Sequence, residues 1–170
     1  MDAGEPRLEM RGINALDVCR ACASRIEQNA AQKGLAVIVD GDENVCLRAD
    51  PKRLQDILDN LMQNGLHYTT HGYISLEVEV VNDTIVFCVS DTGRGIRNED
   101  LGRLFNRFES VNAQSDAQVG LGAGLGLAIV HDLVKLQGGE VVITSVWGEG
   151  TCARVSLPAG YCQLENSSAA

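Results

Sequence analysis

The chain has 170 residues, of which 45% are hydrophobic, and its formal net charge is −9. This length suits one well-packed domain and is short for two. The acidic balance argues against nucleic acid as a partner, because phosphate backbones are bound by clustered Lys and Arg. No apolar run reaches the ~20 residues of a membrane helix, and the acidic N-terminus lacks the pattern of a signal peptide. We therefore expect a cytoplasmic domain that makes no direct membrane contact.

The first quarter of the chain predicts one helix and two short strands. Apolar residues recur at helical spacing after Asp17, which is placed to cap a helix that ends near Lys33. Residues 35–39 and 45–47 are rich in strand-forming side chains, and the turn signal DGDEN lies between them. This arrangement favours a hairpin.

A second helix is predicted from Asp50-Pro51 to about Leu66, because a capping side chain precedes a proline at the first helical position. An apolar stripe at 3.6-residue spacing marks the face expected to pack on a sheet: Leu54, Ile57, Leu58, Leu61 and Gly65. Asn60 and Asn64 lie four residues apart on the flank of this stripe. Their carboxamides should therefore point along one edge of the core.

The second half of the chain predicts two antiparallel hairpins. Residues 73–81 and 84–89 are β-rich runs separated by Asn82-Asp83, and residues 140–146 and 151–157 flank the turn WGEG. Helices interspersed with hairpins predict an α+β fold. We expect a two-layer α/β sandwich, in which helices cover one face of a mixed, mostly antiparallel sheet.

Between the hairpins the pattern predicts two more helices. A short one spans residues 98–107, and a longer one follows Gly124 and ends at Gly138-Gly139. Residues 111–119 are small and polar without periodicity, so a mobile loop is expected there.

Cys19 and Cys22 form a lone C-x-x-C on the first predicted helix. A structural zinc site needs a second pair of ligands, and the sequence places neither another C-x-x-C nor a histidine beside this one. We interpret both residues as buried thiols rather than as a metal or redox site.

Two glycine-spaced loops are the best indication of chemistry. In SDTGRGI, Asp91 ends an apolar strand beside glycines, where its carboxylate could accept from an exocyclic amine such as that of adenine or simply cap a turn. In GAGLG, Gly122, Gly124 and Gly126 precede a helix N-terminus and could cradle phosphate or serve as a tight helix start. The amides of Asn60 and Asn64 could ligate a hard cation, donate to phosphate, or face solvent. Neither a Rossmann fingerprint nor a P-loop is present.

Five motifs in order resemble the ATP-binding catalytic domain of two-component sensor histidine kinases: RLQDILDNLMQNGLHYT, SDTGRGI, LFNRFESV, GAGLGLAIV and GEGTCARVSLP. That family has the Bergerat ATP-binding fold, which it shares with gyrase-type ATPases and heat-shock-90 chaperones. The resemblance covers about residues 8–158. Each motif alone is common, but the ordered set is specific.

The resemblance implies a role for each matching residue. Asn64 would ligate the Mg²⁺ that bridges the phosphates, Asn60 would act beside it as a second catalytic residue, and Asp91 would bind adenine. Phe105 and Phe108 match the phenylalanine box, which anchors a lid over roughly residues 109–121. The other implied nucleotide contacts are His67, Tyr68, Gly93, Gly95, Ile96, Phe108, Gly122, Ala123, Gly124, Leu125, Gly126 and Thr151.

Two positions depart from the family pattern. His67 stands where a lysine is frequent, and Ala123 replaces a frequent Ser or Thr, so contacts to the phosphates are expected to be weaker. These departures favour the main alternative, a non-catalytic ATP-sensing or pseudokinase module. A serine-phosphorylating switch kinase of the same fold is disfavoured, because such chains usually lack the phenylalanine box. The related ATPases have a glutamate at the position of Asn60, and an amide cannot activate water as a base, so phosphate transfer is favoured over hydrolysis.

The resemblance also implies partners. None of His67, His71 and His131 has the context of a phosphoacceptor histidine. We therefore expect residues 1–6 to be a linker remnant of missing dimerisation helices, residues 7–158 to form the catalytic domain, and residues 159–170 to be a disordered tail. We expect the fragment itself to be monomeric. Its partners would be ATP with Mg²⁺, a separate phosphoacceptor helical domain and a downstream response regulator receiver domain.

Overall fold

The computed structural model describes residues 7–105 and 126–160. Its strands are β1 (Arg11–Asn14), β2 (Ala36–Gly41), β3 (Cys46–Ala49), β4 (Tyr73–Val81), β5 (Thr84–Asp91), β6 (Glu140–Val146) and β7 (Gly150–Pro158). Its helices are α1 (Ala15–Gln32), α2 (Pro51–Tyr68), α3 (Asn98–Leu101) and α4 (Gly126–Leu136).

Five strands form one mixed sheet in the order β2-β4-β5-β7-β6. Only the β2–β4 pairing is parallel within this sheet, and β1 and β3 form a separate antiparallel pair. Helices α1, α2 and α4 pack side by side on one face. The predicted α+β sandwich with a mostly antiparallel sheet is therefore confirmed.

The core lies between the sheet and the helices. On the central strand β5 the side chains of Ile85, Phe87 and Val89 alternate toward the helices and are buried. The predicted apolar stripe of α2 is also buried throughout, so 3.6-residue spacing identified the packing face of that helix correctly. The opposite face of the sheet carries exposed side chains such as Glu79 and Arg154.

Both hairpins predicted in the second half are confirmed, as β4–β5 and β6–β7. The predicted hairpin of β2 and β3 is wrong. Strand β2 pairs in parallel with β4, and β3 pairs with β1, which the sequence pattern did not predict. A parallel pair needs a long crossover connection, and here the segment containing β3 and α2 supplies it. The turn residues of DGDEN therefore connect two different sheets.

The helix boundaries include two corrections. Asn14, not Asp17, caps α1: the Asn14 side chain accepts a hydrogen bond of 3.0 Å from the Asp17 N–H. Helix α3 ends at Leu101, earlier than expected. The predicted cap of α2 is confirmed, because Asp50 accepts from the Arg53 N–H at 3.1 Å. The expected loop over residues 111–119 and most of the expected tail lie outside the described residues.

The thiols of Cys19 and Cys22 are buried and free. Burial is the main cause that raises the pKa of each to about 12, so both stay protonated at neutral pH. In the described part of the chain, no helix combines the length and the apolar character needed to cross a bilayer.

Candidate functional site

Asp91 lies at the end of β5, in register with Thr151 on β7 and Ile74 on β4. Its Oδ1 accepts a hydrogen bond of 2.9 Å from the Gly93 N–H. Desolvation raises the pKa of this carboxyl, although hydrogen bonds from the Gly93 and Thr151 backbone and the Thr69 side chain act in the opposite direction. The carboxylate is thus partly buried and incompletely compensated, as expected of a group that receives a donor from a ligand.

Thr69 is a site residue that the sequence analysis missed. It follows α2 directly, is fully buried, and lies beside Asp91. Its Oγ1 makes no hydrogen bond of normal geometry within the described residues. A buried hydroxyl in this condition is rare in folded proteins, and it marks the space around Asp91 as polar and incomplete.

Gly93 brings the backbone close to both of these groups. A Cβ at this position would lie 2.7 Å from the Tyr68 carbonyl oxygen, 2.8 Å from Asp91 Oδ1 and 3.0 Å from Thr69 Oγ1. Only glycine fits without displacing these neighbours. The first glycine of SDTGRGI is therefore required by close packing at the site.

Close packing and a hydrogen bond hold the rest of this loop against the β6–β7 hairpin. Gly95 has φ of +74° and lies against the Val146 carbonyl, which leaves no room for a side chain. Ser145 Oγ accepts from the Ile96 N–H at 2.7 Å and also lies 2.9 Å from Thr151 Oγ1. Ser145 is a second residue that the sequence analysis missed, and it connects both glycine-containing turns around Asp91.

Asn60 and Asn64 are partly buried and lie on the same flank of α2, as expected. The Asn60 side chain donates through Nδ2 to the Asp56 carbonyl at 2.7 Å, which leaves Oδ1 as its outward acceptor. A Cβ on Gly126 would lie 3.3 Å from this Oδ1. Asn60 therefore lies beside Gly126, the first described residue of α4, at the positive end of the helix dipole.

His67 and Tyr68 close the end of α2. Their rings are in edge contact, with centroids 4.6 Å apart, and the Arg94 guanidinium lies 4.5 Å from the Tyr68 ring centroid. Arg94 was also missed by the sequence analysis. Its contact with Tyr68 is a cation–π interaction and adds a positive charge beside the site.

Ile96 lies at the edge of this group of candidate site residues. It lines a surface cleft of about 490 Å³ together with Arg97, Asn98, Ser145, Val146 and Trp147. Its predicted place in a nucleotide pocket stays a prediction.

Phe105 packs against the core and lies 5.3 Å from the His131 ring of α4, centroid to centroid. This contact joins Phe105 to α4, and its predicted role as the anchor of a lid stays a prediction. Five predicted contacts lie outside the described residues: Phe108, Gly122, Ala123, Gly124 and Leu125.

The structure thus brings two groups of predicted residues into one region. In the first group, Gly93 and Thr151 lie beside the partly buried Asp91 carboxylate. In the second, Asn60 faces the start of α4 at Gly126. Gly65 joins the two groups: its Cβ would lie 3.6 Å from Asp91 Cβ, so α2 passes directly over the carboxylate.

Comparison with known proteins shows the family of the chain. Residues 49–161 match the family described as histidine kinase-, DNA gyrase B- and HSP90-like ATPases. The match includes every site residue named above.

Individual relatives agree with this match. The circadian input-output histidine kinase CikA of Synechococcus elongatus is 33% identical over 162 residues, which are 93% of this chain and 21% of the relative. Sensor protein DivL of Caulobacter vibrioides is 35% identical and covers 93% of this chain, which spans 20% of DivL. The chain therefore spans about a fifth of the length of these relatives.

Solved structures show the same fold. Full-length ShkA in complex with AMPPNP superposes with a TM-score of 0.81 at 28% identity, covering 95% of this chain and 34% of ShkA. The catalytic domain of histidine kinase ThkA has a TM-score of 0.79 at 21% identity and covers 89% of this chain and 97% of that domain.

Proposed function

Because the chain belongs to the family of histidine kinase-, DNA gyrase B- and HSP90-like ATPases and is an ATP-binding catalytic domain of the histidine kinase type, we propose that it transfers the γ-phosphate of Mg²⁺-bound ATP to a histidine. The acceptor would lie on a separate helical domain of the same parent protein. The observation that carries this proposal is the partly buried Asp91 carboxylate, whose pKa is raised by desolvation, with the fully buried Thr69 hydroxyl beside it.

Asp91 is suited to bind the exocyclic amine of adenine. Its Oδ1 is occupied by the Gly93 N–H, while its second oxygen has acceptor capacity for a ligand N–H. The Thr69 hydroxyl can donate or accept at the same place, directly or through a water molecule. The solved complex of ShkA with AMPPNP, an analogue of ATP, supports this interpretation.

Asn64 is proposed to hold Mg²⁺ through its amide oxygen, with Asn60 beside it. No cluster of three His, Cys, Asp or Glu side chains that could hold a metal occurs in residues 7–105 and 126–160. This fits an ion bound mainly by phosphate oxygens, which is the usual arrangement for Mg²⁺ at nucleotide sites. When bound, the ion would neutralise charge on the phosphates.

The protein's own contribution is positioning. The α4 N-terminus, which faces Asn60, offers N–H groups and a partial positive charge to the phosphates. An amide cannot accept a proton from water at neutral pH, so Asn60 favours transfer over hydrolysis. Arg94 lies near the same end of α2 and adds a positive charge there.

The test is phosphate transfer to an added phosphoacceptor helical domain from γ-labelled ATP. Acid-labile label on that domain is the expected result. Acid-stable label would indicate serine phosphorylation, and binding of ATP without any transfer would indicate the alternative, a non-catalytic ATP-sensing module. Asn64→Ala should abolish transfer, whereas Asn29→Ala, which removes an exposed amide on α1, should not change it.

A response regulator receiver domain is the partner that we propose downstream, because the matched relatives include named sensor kinases. We propose that the isolated domain is monomeric and that it is located in the cytoplasm, where ATP is available. Transfer of label from the phosphorylated helical domain to a receiver domain tests the proposed partner. Sedimentation of the purified domain tests the proposed monomeric state.

A further inference from the structure

Two cysteines contact each other on the open face of the sheet, opposite the candidate nucleotide site. Cys88 lies on β5 and Cys152 on β7, in diagonal register, since Cys88 pairs with Arg154 and Cys152 with Ser90. Their Sγ atoms are 2.7 Å apart. Both residues are half-buried and free. The two sulfurs would need to close by less than ~1 Å to reach the length of a disulfide bond.

The surroundings distinguish the two sulfurs chemically. The main cause that lowers the pKa of Cys152 to about 6 is a hydrogen bond from Cys88, and the Ser90 hydroxyl and Arg154 also lower it. The pKa of Cys88 is raised, chiefly by the same hydrogen bond and by burial, although the Ser90 hydroxyl, 3.5 Å from Cys88 Sγ, lowers it as well. Glu77, opposite Cys88 on β4, disfavours a thiolate on either sulfur. The hydrogen bond between the two sulfurs therefore favours a thiolate on Cys152 and a protonated thiol on Cys88.

A metal site explains this pair less well. Within the described ranges no third His, Cys, Asp or Glu joins the two thiols in a potential metal cluster. Two adjacent thiols, one ionised and one protonated, are instead the arrangement of an attacking and a resolving cysteine.

We infer that Cys88 and Cys152 form a redox modification site that reduces a hydroperoxide and closes to a disulfide. In the first step the Cys152 thiolate attacks the peroxide, an S–O bond forms, the O–O bond breaks, and the departing alkoxide or hydroxide takes a proton. In the second step Cys88 attacks the sulfenic sulfur, the S–S bond forms, the S–O bond breaks, and hydroxide leaves as water with the Cys88 proton. Two thiols are oxidised by two electrons and one hydroperoxide is reduced.

The chain contains its own control pair. Cys19 and Cys22 are both free and buried, and their pKa values are raised to about 12. Their thiols should remain unreactive in the folded protein, because the thiolate is the nucleophile.

The experiment treats the folded, reduced protein with hydrogen peroxide and maps cysteines by peptide mass spectrometry. The expected product is a cross-link between the peptides that contain Cys88 and Cys152, reversed by a dithiol reductant and distinct from any cross-link of Cys46, which is disulfide-bonded in the structure. A modification that appears first on Cys19 or Cys22, or sulfenic acid on Cys152 that persists in wild-type protein without the cross-link, would overturn the inference. This readout needs no variant and is independent of nucleotide binding.

Two variants then separate the roles of the sulfurs. Cys88→Ser keeps a hydroxyl donor but cannot resolve, so sulfenic acid on Cys152 should accumulate and be captured by a cyclic diketone. Cys152→Ser leaves Cys88 without a partner sulfur, so the cross-link should not form. Failure of sulfenic acid to accumulate on Cys152 in Cys88→Ser would contradict the assignment of Cys152 as the attacking residue.

Discussion

At the scale of single residues, the partly buried carboxylate of Asp91 is suited to ligand binding, but it lowers the stability of the ligand-free fold. Desolvation raises its pKa in the folded chain, so the fold favours the protonated form. The stabilisation linked to protonation is present at low pH and is lost as pH rises through the folded-state pKa. At neutral pH the charged carboxylate therefore opposes folding until a ligand donates to it.

Asp91→Asn should separate the two effects. The amide oxygen can keep the bond from the Gly93 N–H, and the NH₂ group then faces the amine of adenine as a second donor. We expect ATP affinity to fall by about 30-fold, equivalent to the ~2 kcal/mol of a hydrogen bond to a charged group. The free energy of unfolding without ligand should be equal to or higher than that of wild type, by a margin that narrows at mildly acidic pH. Calorimetric titration and urea denaturation measure these quantities, and a clear loss of ligand-free stability would contradict the argument.

Gly93 provides a test of close packing at the same site. Gly93→Ala places a Cβ 2.7 Å from the Tyr68 carbonyl and 2.8 Å from Asp91 Oδ1, so the loop must shift. We expect a stability loss of about 1–3 kcal/mol, typical of overpacking, together with weaker ATP binding. The matched control is Gly102→Ala, where a Cβ meets nothing within 4 Å. If both variants behave alike in urea denaturation and ATP titration, Gly93 has no special role.

At the scale of elements, capping explains where α1 begins. The Asn14 side chain accepts from the Asp17 N–H and also donates to the Glu43 carbonyl at 2.6 Å. Asn14→Ala should lower the free energy of unfolding by about 1 kcal/mol. Asn29→Ala makes the same change at an exposed position inside the helix, where alanine has the higher helix propensity, and should be neutral or slightly stabilising. Urea midpoints of the two variants decide whether position or residue type matters.

Local signals allowed most elements to be predicted from the sequence. Asp50-Pro51 marked the start of α2, and Asn82, with φ of +53°, marks the tight turn between β4 and β5. The parallel β2–β4 pairing and strand β1 could not be predicted in this way. Both depend on partners distant in sequence. A parallel pair is not joined by a tight turn, so no turn residue in the sequence predicts the pairing.

The candidate site shows the same division. Asp91 and the asparagine pair were identified because each belongs to a recognisable motif. Thr69, Ser145 and Arg94 were missed because their roles arise only when loop 91–96 meets the end of α2 and the β6–β7 hairpin. Nothing in the local sequence of these three residues indicates a buried hydroxyl or a cation over a ring.

At the scale of the whole molecule, one apolar cluster joins every layer. Residues from α1, α2, α4 and the sheet belong to the same buried core, and β5 lies at the middle of the sheet. The site is built on this core, since Asp91 ends β5 and Asn60 flanks the buried stripe of α2. Loss of packing at the centre should therefore affect all parts of the domain together.

Phe87→Ala tests this cooperativity. Phe87 is fully buried on β5, and its truncation should lower the free energy of unfolding by about 3–5 kcal/mol, a large share of the ~5–15 kcal/mol typical of a domain. Val80→Ala, at a position 54% exposed, should change it by less than about 0.5 kcal/mol. Unfolding followed by far-ultraviolet circular dichroism reports the helices, and fluorescence of the single tryptophan, Trp147, reports the β6–β7 hairpin. Coincident midpoints in wild type and in both variants are expected of one cooperative unit, whereas two separate transitions would show that the helical layer and the hairpin fold independently.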